Sequence, residues 1–250
     1  MDRQKKQGTP DLQKEPEKQE NMETPDHTDK NPFTSFTCEG KEISPGGDRV
    51  CETQASYGRR QRRQGEYTLE DYYALPDDQR VELIDGVFYD MAAPYTTHQI
   101  GCADIFMQLA GFIRSQKGTC RPLISPVDVQ LDCDDRTMVQ PDVLVVCDRD
   151  KIKKRCVYGA PDLVIEILSD STARKDTTVK LKKYLRAGVR EYWIVDLQQE
   201  VVVVHDMSGE NCRTSIYGMN QPIPVRIFEG KCQIRFDEIC EEVRPLLSQS

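Results

Sequence analysis

The stretch PDLVIEILSDST, residues 161 to 172, sets five apolar residues (Leu163, Val164, Ile165, Ile167, Leu168) around one carboxylate, Glu166. An apolar run without polar alternation is the pattern of a strand covered on both faces. Pro161-Asp162 opens the run, and the polar residues 169 to 172 close it. An ionised carboxylate inside such a strand is costly unless something pairs with it. A second run of the same kind lies upstream in QPDVLVV, where Asp142 follows Pro141 at the start of the strand. Two buried strands that aim acids at one place hold a divalent cation through oxygen ligands. Magnesium needs only one or two protein carboxylates, with water and substrate oxygens completing its shell.

Outward from these strands the pattern alternates between helix and strand. YTLEDYYALPDD offers Thr68 as an N-cap with Asp71 three residues on, a helix start. VELIDGVFYDM reads as a hairpin turning at Asp85-Gly86. THQIGCADIFMQLAGFIRSQK places Ile100, Ala103, Met107, Ala110 and Ile113 at helical spacing, and Lys117-Gly118 closes it. VDVQLD alternates at Val127, Val129 and Leu131 as a strand does, and TVKLKKYLRAG is a short helix ended by Gly188. EYWIVDLQQEVVVVHDM is a hairpin turning near Gln198-Gln199, with Tyr192 and Trp193 read as core. RTSIYGM and CQIRFDEIC supply two weaker strand or terminal elements, and Asp162 and Asp196 read as turn residues at strand ends. The order predicts one α/β domain with a mixed sheet over residues 65 to 250.

Residues 1 to 64 differ in kind. They are rich in Lys, Glu, Gln, Pro, Asp and Thr with almost no apolar periodicity, the composition of a disordered tail. The tail ends in Arg59-Arg60-Gln61-Arg62-Arg63, read as a solvated linker, with a phosphate-touching basic arm as the alternative. Formal net charge is -8, which argues against a generally basic nucleic-acid coat protein but not against an enzyme holding cations in an acidic cleft. The ten cysteines show no CxxC pair and read as reduced thiols, several of them, such as Cys102, Cys147 and Cys240, in apolar runs. The three histidines (His27, His98, His205) make a His-rich metal site unexpected. No stretch of about 18 apolar residues occurs and the N-terminus is charged, so the expectation is a cytoplasmic protein with no membrane partner.

Pro141-Asp142 followed by Glu166 on a later strand resembles the active-site signature of the PD-(D/E)XK nuclease superfamily. More narrowly, RVELIDGVFYDM, VQPDVLVV, PDLVIEILSDST and KDTTVKLKKYLRAGVREYWIVD, in this order and spacing, resemble the bacterial Uma-two family of restriction-endonuclease-like proteins. The resemblance spans roughly residues 67 to 240. It implies a restriction-endonuclease-like core, a mixed β-sheet flanked by helices, and metal-dependent cleavage of nucleic acid, DNA first. It further implies Mg2+ (or Mn2+) as cofactor and a homodimer as the assembly. The catalytic set it implies is Glu82, Asp142, Glu166 and Lys180, with Asp142, Glu166 and Glu82 on the metal. The lysine that the superfamily places two residues after the glutamate is Leu168 here, and Lys180 on the next helix matches the migrated position. Its ammonium is suited to orienting water or neutralising the phosphate. Lys182 and Lys183 are expected to face elsewhere, and Asp176 to pair along the helix with Lys180. His98 reads either as a helper base or as a cap or core residue. The alternative function is a catalytically inactive nuclease-fold module that binds nucleic acid or protein. Lys151, Lys153, Lys154, Arg155, Arg174 and Lys175 are the candidate phosphate contacts.

Overall fold

The structure, a computed structural model, describes residues 62–76, 78–169, 176–209 and 211–249, without the side chains of 176 and 177. The tail reading for residues 1–61 and the candidate contacts Arg174 and Lys175 lie outside the described residues, as does the side-chain pairing expected of Asp176. The described residues all fall in one compact unit, Gly47–Ser250.

The chain opens with a single turn, α1 (Leu69–Tyr72), capped reciprocally by Thr68 and Asp71. The hairpin β1 (Val81–Ile84) and β2 (Val87–Asp90) follows, turning at Asp85-Gly86, both at positive φ. Helix α2 (Thr96–Ser115) leads to β3 (Arg121–Ile124), β4 (Val129–Gln130), β5 (Val143–Val146), β6 (Val157–Tyr158) and β7 (Leu163–Ile167). A π-turn, Asp176–Lys180, runs into α3 (Leu181–Ala187), and Gly188 ends it in the left-handed conformation at φ 89°. The strands β8 (Glu191–Asp196), β9 (Val201–Asp206), β10 (Arg213–Gly218), β11 (Ile223–Val225) and β12 (Cys232–Ile234) come next, and α4 (Asp237–Leu247) closes the fold.

Six strands form the main sheet in the order β10-β9-β8-β7-β5-β3. Only β7 and β8 run parallel within it, and the crossover that parallel neighbours require is α3. Strand β7 is therefore central, and all five of its residues are buried. Leu163, Ile165 and Ile167 face the core shared with α2 and α4, while Val164 faces the core holding Tyr184 of α3. Glu166 alternates with the first set, so it points to the α3 face. The sheet is the mixed, helix-flanked α/β architecture expected.

Three readings need correction. Helix α2 buries Gly101, Cys102, Ile105, Leu109, Ala110 and Ile113, whereas Met107 is 58% exposed and Ala103 lies in solvent. The helix is apolar around most of its circumference, so periodicity does not choose a face; packing against the sheet and α4 does. Gly101 permits that approach, because a Cβ there would meet Ile167 Cδ1 at 3.0 Å and Leu197 Cδ1 at 3.1 Å. The alternating segment at 127 to 131 is strand over Val129–Gln130 alone, paired in parallel with β6. Finally, Cys120 and Cys147 are not free thiols but form a disulfide. They flank the paired residues Arg121 and Val146 of antiparallel β3 and β5, so the register sets them opposite each other. Cys102, Cys133, Cys156, Cys212, Cys232 and Cys240 are free.

Candidate functional site

Glu166 has the partners its burial demands. Its Oε1 accepts from Lys180 Nζ at 2.8 Å and from the Tyr184 hydroxyl at 2.7 Å. Lys180 and Tyr184 lie one helical turn apart, so the π-turn and α3 bring both onto the same strand residue. The ammonium also meets Glu82 Oε1 at 2.9 Å. Glu82, the second residue of β1, has no exposed surface and also accepts from the Gln140 backbone N–H at 3.0 Å. Lys180 thus bridges two carboxylates from separate strands, and is itself 3% exposed. Tyr184 has its hydroxyl held protonated, first by burial and then by the charge on Glu166.

Asp142, at the mouth of β5, accepts the Ile167 N–H at 2.8 Å and faces His98 Nε2 at 3.1 Å. Both contacts fall on Oδ2. The other ring nitrogen of His98 meets Cys102 Sγ at 3.5 Å. Burial, and then the charges of Asp142 and Glu166, push the Cys102 thiol up.

These groups wall a cleft of about 430 Å³, whose lining includes Arg80, His98, Gln140, Asp142, Glu166 and Lys180. Tyr95, 73% exposed, stands on its rim. Of the four residues singled out from the sequence, Asp142, Glu166 and Lys180 share the cleft, and Glu82 lies behind Lys180 in direct contact with it. The donor set suits a hard divalent cation. Two carboxylates on neighbouring strands reach one space, and the polar partners of Asp142 engage one oxygen of two. Sequence reasoning missed Tyr184 and left His98 open between a helper base and a cap or core residue. The signal for each was a spacing of four on a helix, Lys180 to Tyr184 and His98 to Cys102.

Lys183 faces elsewhere than the cleft, and it is 7% exposed there, with its Nζ on Asp85 at 2.8 Å and in contact with Asp132. Lys182 also faces elsewhere and is exposed. The surface cations are partly engaged: Lys151 Nζ donates to the Ala160 carbonyl at 2.8 Å, and Arg155 lies 4.0 Å over the Tyr73 ring.

No helix among the described residues is long and apolar enough to cross a membrane. A search of curated proteins returns no match. The fold is similar to a crystal structure from Anabaena variabilis described as "a putative nuclease belonging to DUF820". The two chains share 18% identity at a TM-score of 0.59, over 70% of this chain and 98% of that one. The family model described as "Uma2: Putative restriction endonuclease" matches residues 69–236, from the start of α1 to the turn before α4. The match takes in β1, β5, β7 and the π-turn, the elements that carry Glu82, Asp142, Glu166 and Lys180, and the chain belongs to the Uma2 family.

Proposed function

We propose that this chain is a nuclease of the PD-(D/E)XK type that hydrolyses phosphodiester bonds, those of DNA first, with Mg2+ or Mn2+ held by Asp142 and Glu166. The observation that carries the reading is the cleft that Asp142, Glu166 and Lys180 line together, with the ammonium on Glu166 at 2.8 Å. A divalent cation there supplies an activated water and charge stabilisation at the phosphate. The protein's own groups do the remainder. Asp142 is oriented by the Ile167 N–H, and Glu166 by Lys180 and Tyr184. Lys180 points its ammonium into the cleft, where it orients water or meets phosphate oxygens. Glu82 fixes that ammonium from behind, and would be the third acid available to the cation were Lys180 to turn to substrate. Arg80, tethered to Gln140 Oε1 at 3.0 Å, adds a second cation for the phosphate.

With a net charge of -8, binding to nucleic acid depends on these local cations together with Lys153 and Lys154. A homodimer that cuts both strands, a cytoplasmic location, and a separable tail before residue 65 belong to the same proposal. Arg62 and Gln64 already touch the domain, through Thr68 Oγ1 at 2.9 Å and the Phe88 N–H at 2.9 Å.

One observation favours the inactive binding module as a second reading: Lys180 already bridges Glu82 and Glu166 with no metal needed. Plasmid nicking separates the two. An active enzyme nicks with Mg2+ or Mn2+, stops with EDTA, and is silent as Asp142→Asn. DNA binding without cleavage by the wild type under any divalent cation would leave the binding module.

A further inference from the structure

His98 and Cys102 stand one turn apart on the buried face of α2, and Asp142 faces them from the sheet. One ligand atom from each lies within 4.8 Å of the other two. A helical pair at this spacing can chelate one cation. The ring's Nε2 faces Asp142 and its Nδ1 faces Cys102, so binding turns the ring to bring one nitrogen to the metal, and the strand-end carboxylate closes a third side. The donors are imidazole nitrogen, sulfur and one carboxylate oxygen. Magnesium takes oxygen and binds such a set poorly. Zinc and its neighbours take it well, with metal–ligand bonds of about 2.0–2.3 Å and a fourth position left open.

We propose that His98, Cys102 and Asp142 form a separate site for a borderline divalent metal of the zinc class, sharing Asp142 with the nuclease cleft, so that zinc inhibits by taking that carboxylate from the catalytic cation. The binding site stands on its own geometry; the inhibition rests on the nuclease reading. Entry is from the cleft, through His98, whose side chain is 12% exposed. Cys102, at 1% exposure, is reached only behind that ring. Binding of the metal through sulfur releases the thiol proton to solvent. Two uses of one aspartate then exclude each other: an oxygen-ligated magnesium that promotes cleavage, and a nitrogen- and sulfur-ligated zinc that blocks it.

The test uses the full chain, stripped of metal, with Co2+ as the probe. One equivalent is expected to give a sulfur-to-cobalt charge-transfer band in the near ultraviolet, with visible bands of tetrahedral intensity, and Zn2+ to abolish both. Cys102→Ser is expected to lose the charge-transfer band. His98→Gln weakens Co2+ binding at least about tenfold, and serves if the buried serine disturbs folding by circular dichroism. A band that survives in Cys102→Ser, or cobalt affinity unchanged in His98→Gln, overturns the site, since another thiol would then be the ligand. Inhibition is read separately, each variant against its own zinc-free rate of Mg2+-dependent nicking. Loss of either residue should raise the half-inhibiting Zn2+ concentration at least about tenfold. Zinc bound but not inhibiting would refute the shared aspartate, whereas absence of nicking in metal-replete wild type refutes the nuclease reading and leaves the cobalt result standing.

Discussion

Lys180 and Lys183 are separated by one helical turn, are both buried, and among the described residues each touches two acids, one of which comes from the same hairpin. Lys180 reaches Glu82 and Glu166, whose side chains are 0% and 4% exposed. Lys183 reaches Asp85 and Asp132, at 64% and 23%. The first trio is shut off from solvent and opens only toward the cleft; the second is a clamp at the protein's edge, tying the hairpin turn to α3. The pairing is the same and the surroundings differ. A charge sealed in protein cannot relax when its partner leaves, and a charge at the edge can. Burial of the partners, not of the lysine, separates a reactive arrangement from a fastening one.

The strongest challenge to that contrast comes from the acids of the cleft. Asp142→Asn or Glu166→Gln is expected to lower metal-dependent nicking about a thousandfold or more while the fold persists by circular dichroism. Wild-type rates in Glu166→Gln would remove the cleft mechanism. Next comes Lys180→Ala, which takes from Glu82 and Glu166 the ammonium they share. It should cost about 3–5 kcal/mol in urea unfolding and abolish cleavage. Mg2+ should recover part of that stability, more than it adds to the wild type, because the uncovered acids then bind it. Equal stabilisation of both proteins by Mg2+ would mean the acids do not receive the cation.

Lys183→Ala should cost only about 1 kcal/mol and keep cleavage, because Asp85 and Asp132 turn to water. Its pH dependence sharpens the comparison. Burial alone would lower the Lys183 pKa, but hydrogen bonds to Asp132 and Asp85 prevail and raise it above 10.5. A raised lysine contributes stability that is fully present below 10.5 and is lost as pH climbs through the folded value. The gap between wild type and Lys183→Ala should therefore stay constant from neutral pH to the unfolded value and narrow only above it. A gap that already closes near pH 8 would contradict the clamp. The smallest effect is expected for exposed Lys182→Ala, within about 0.5 kcal/mol. A larger loss there would mean that the helix face has been misassigned.

Much of this contrast was hidden from the sequence. The strands β5 and β7 are legible because unbroken apolar runs have few other ways to be satisfied, and the turns at Asp85-Gly86 and Gly188 because positive φ selects residue types. Lys180 is legible only through the family resemblance; by pattern alone Lys182 and Lys183 are its equals. The exposure of Asp85 and Asp132 is a product of how the hairpin docks, which no local spacing encodes. The stripe of α2 was misread because Ile100, Ala103 and Met107 are as apolar as Cys102, Ile105 and Leu109. The Cys120–Cys147 bond depends on a cross-strand register between residues 27 apart. His98 needs both the true helix face and the strand order before it meets Asp142.

The close approach at Gly101 works as a gauge. Where any other residue carries a side chain, this position has only the tips of Ile167 and Leu197 pressing toward the helix backbone. His98 rides less than one turn before it, and Asp142 is bonded to the backbone of that same Ile167. The thickness of a single methyl group therefore meters the gap between imidazole and carboxylate. Alanine would be met by flexible side-chain ends that can yield by a few tenths of an ångström, whereas a branched side chain would jack the helix off the strand. The aperture of the cleft is set by an atom the sequence leaves out.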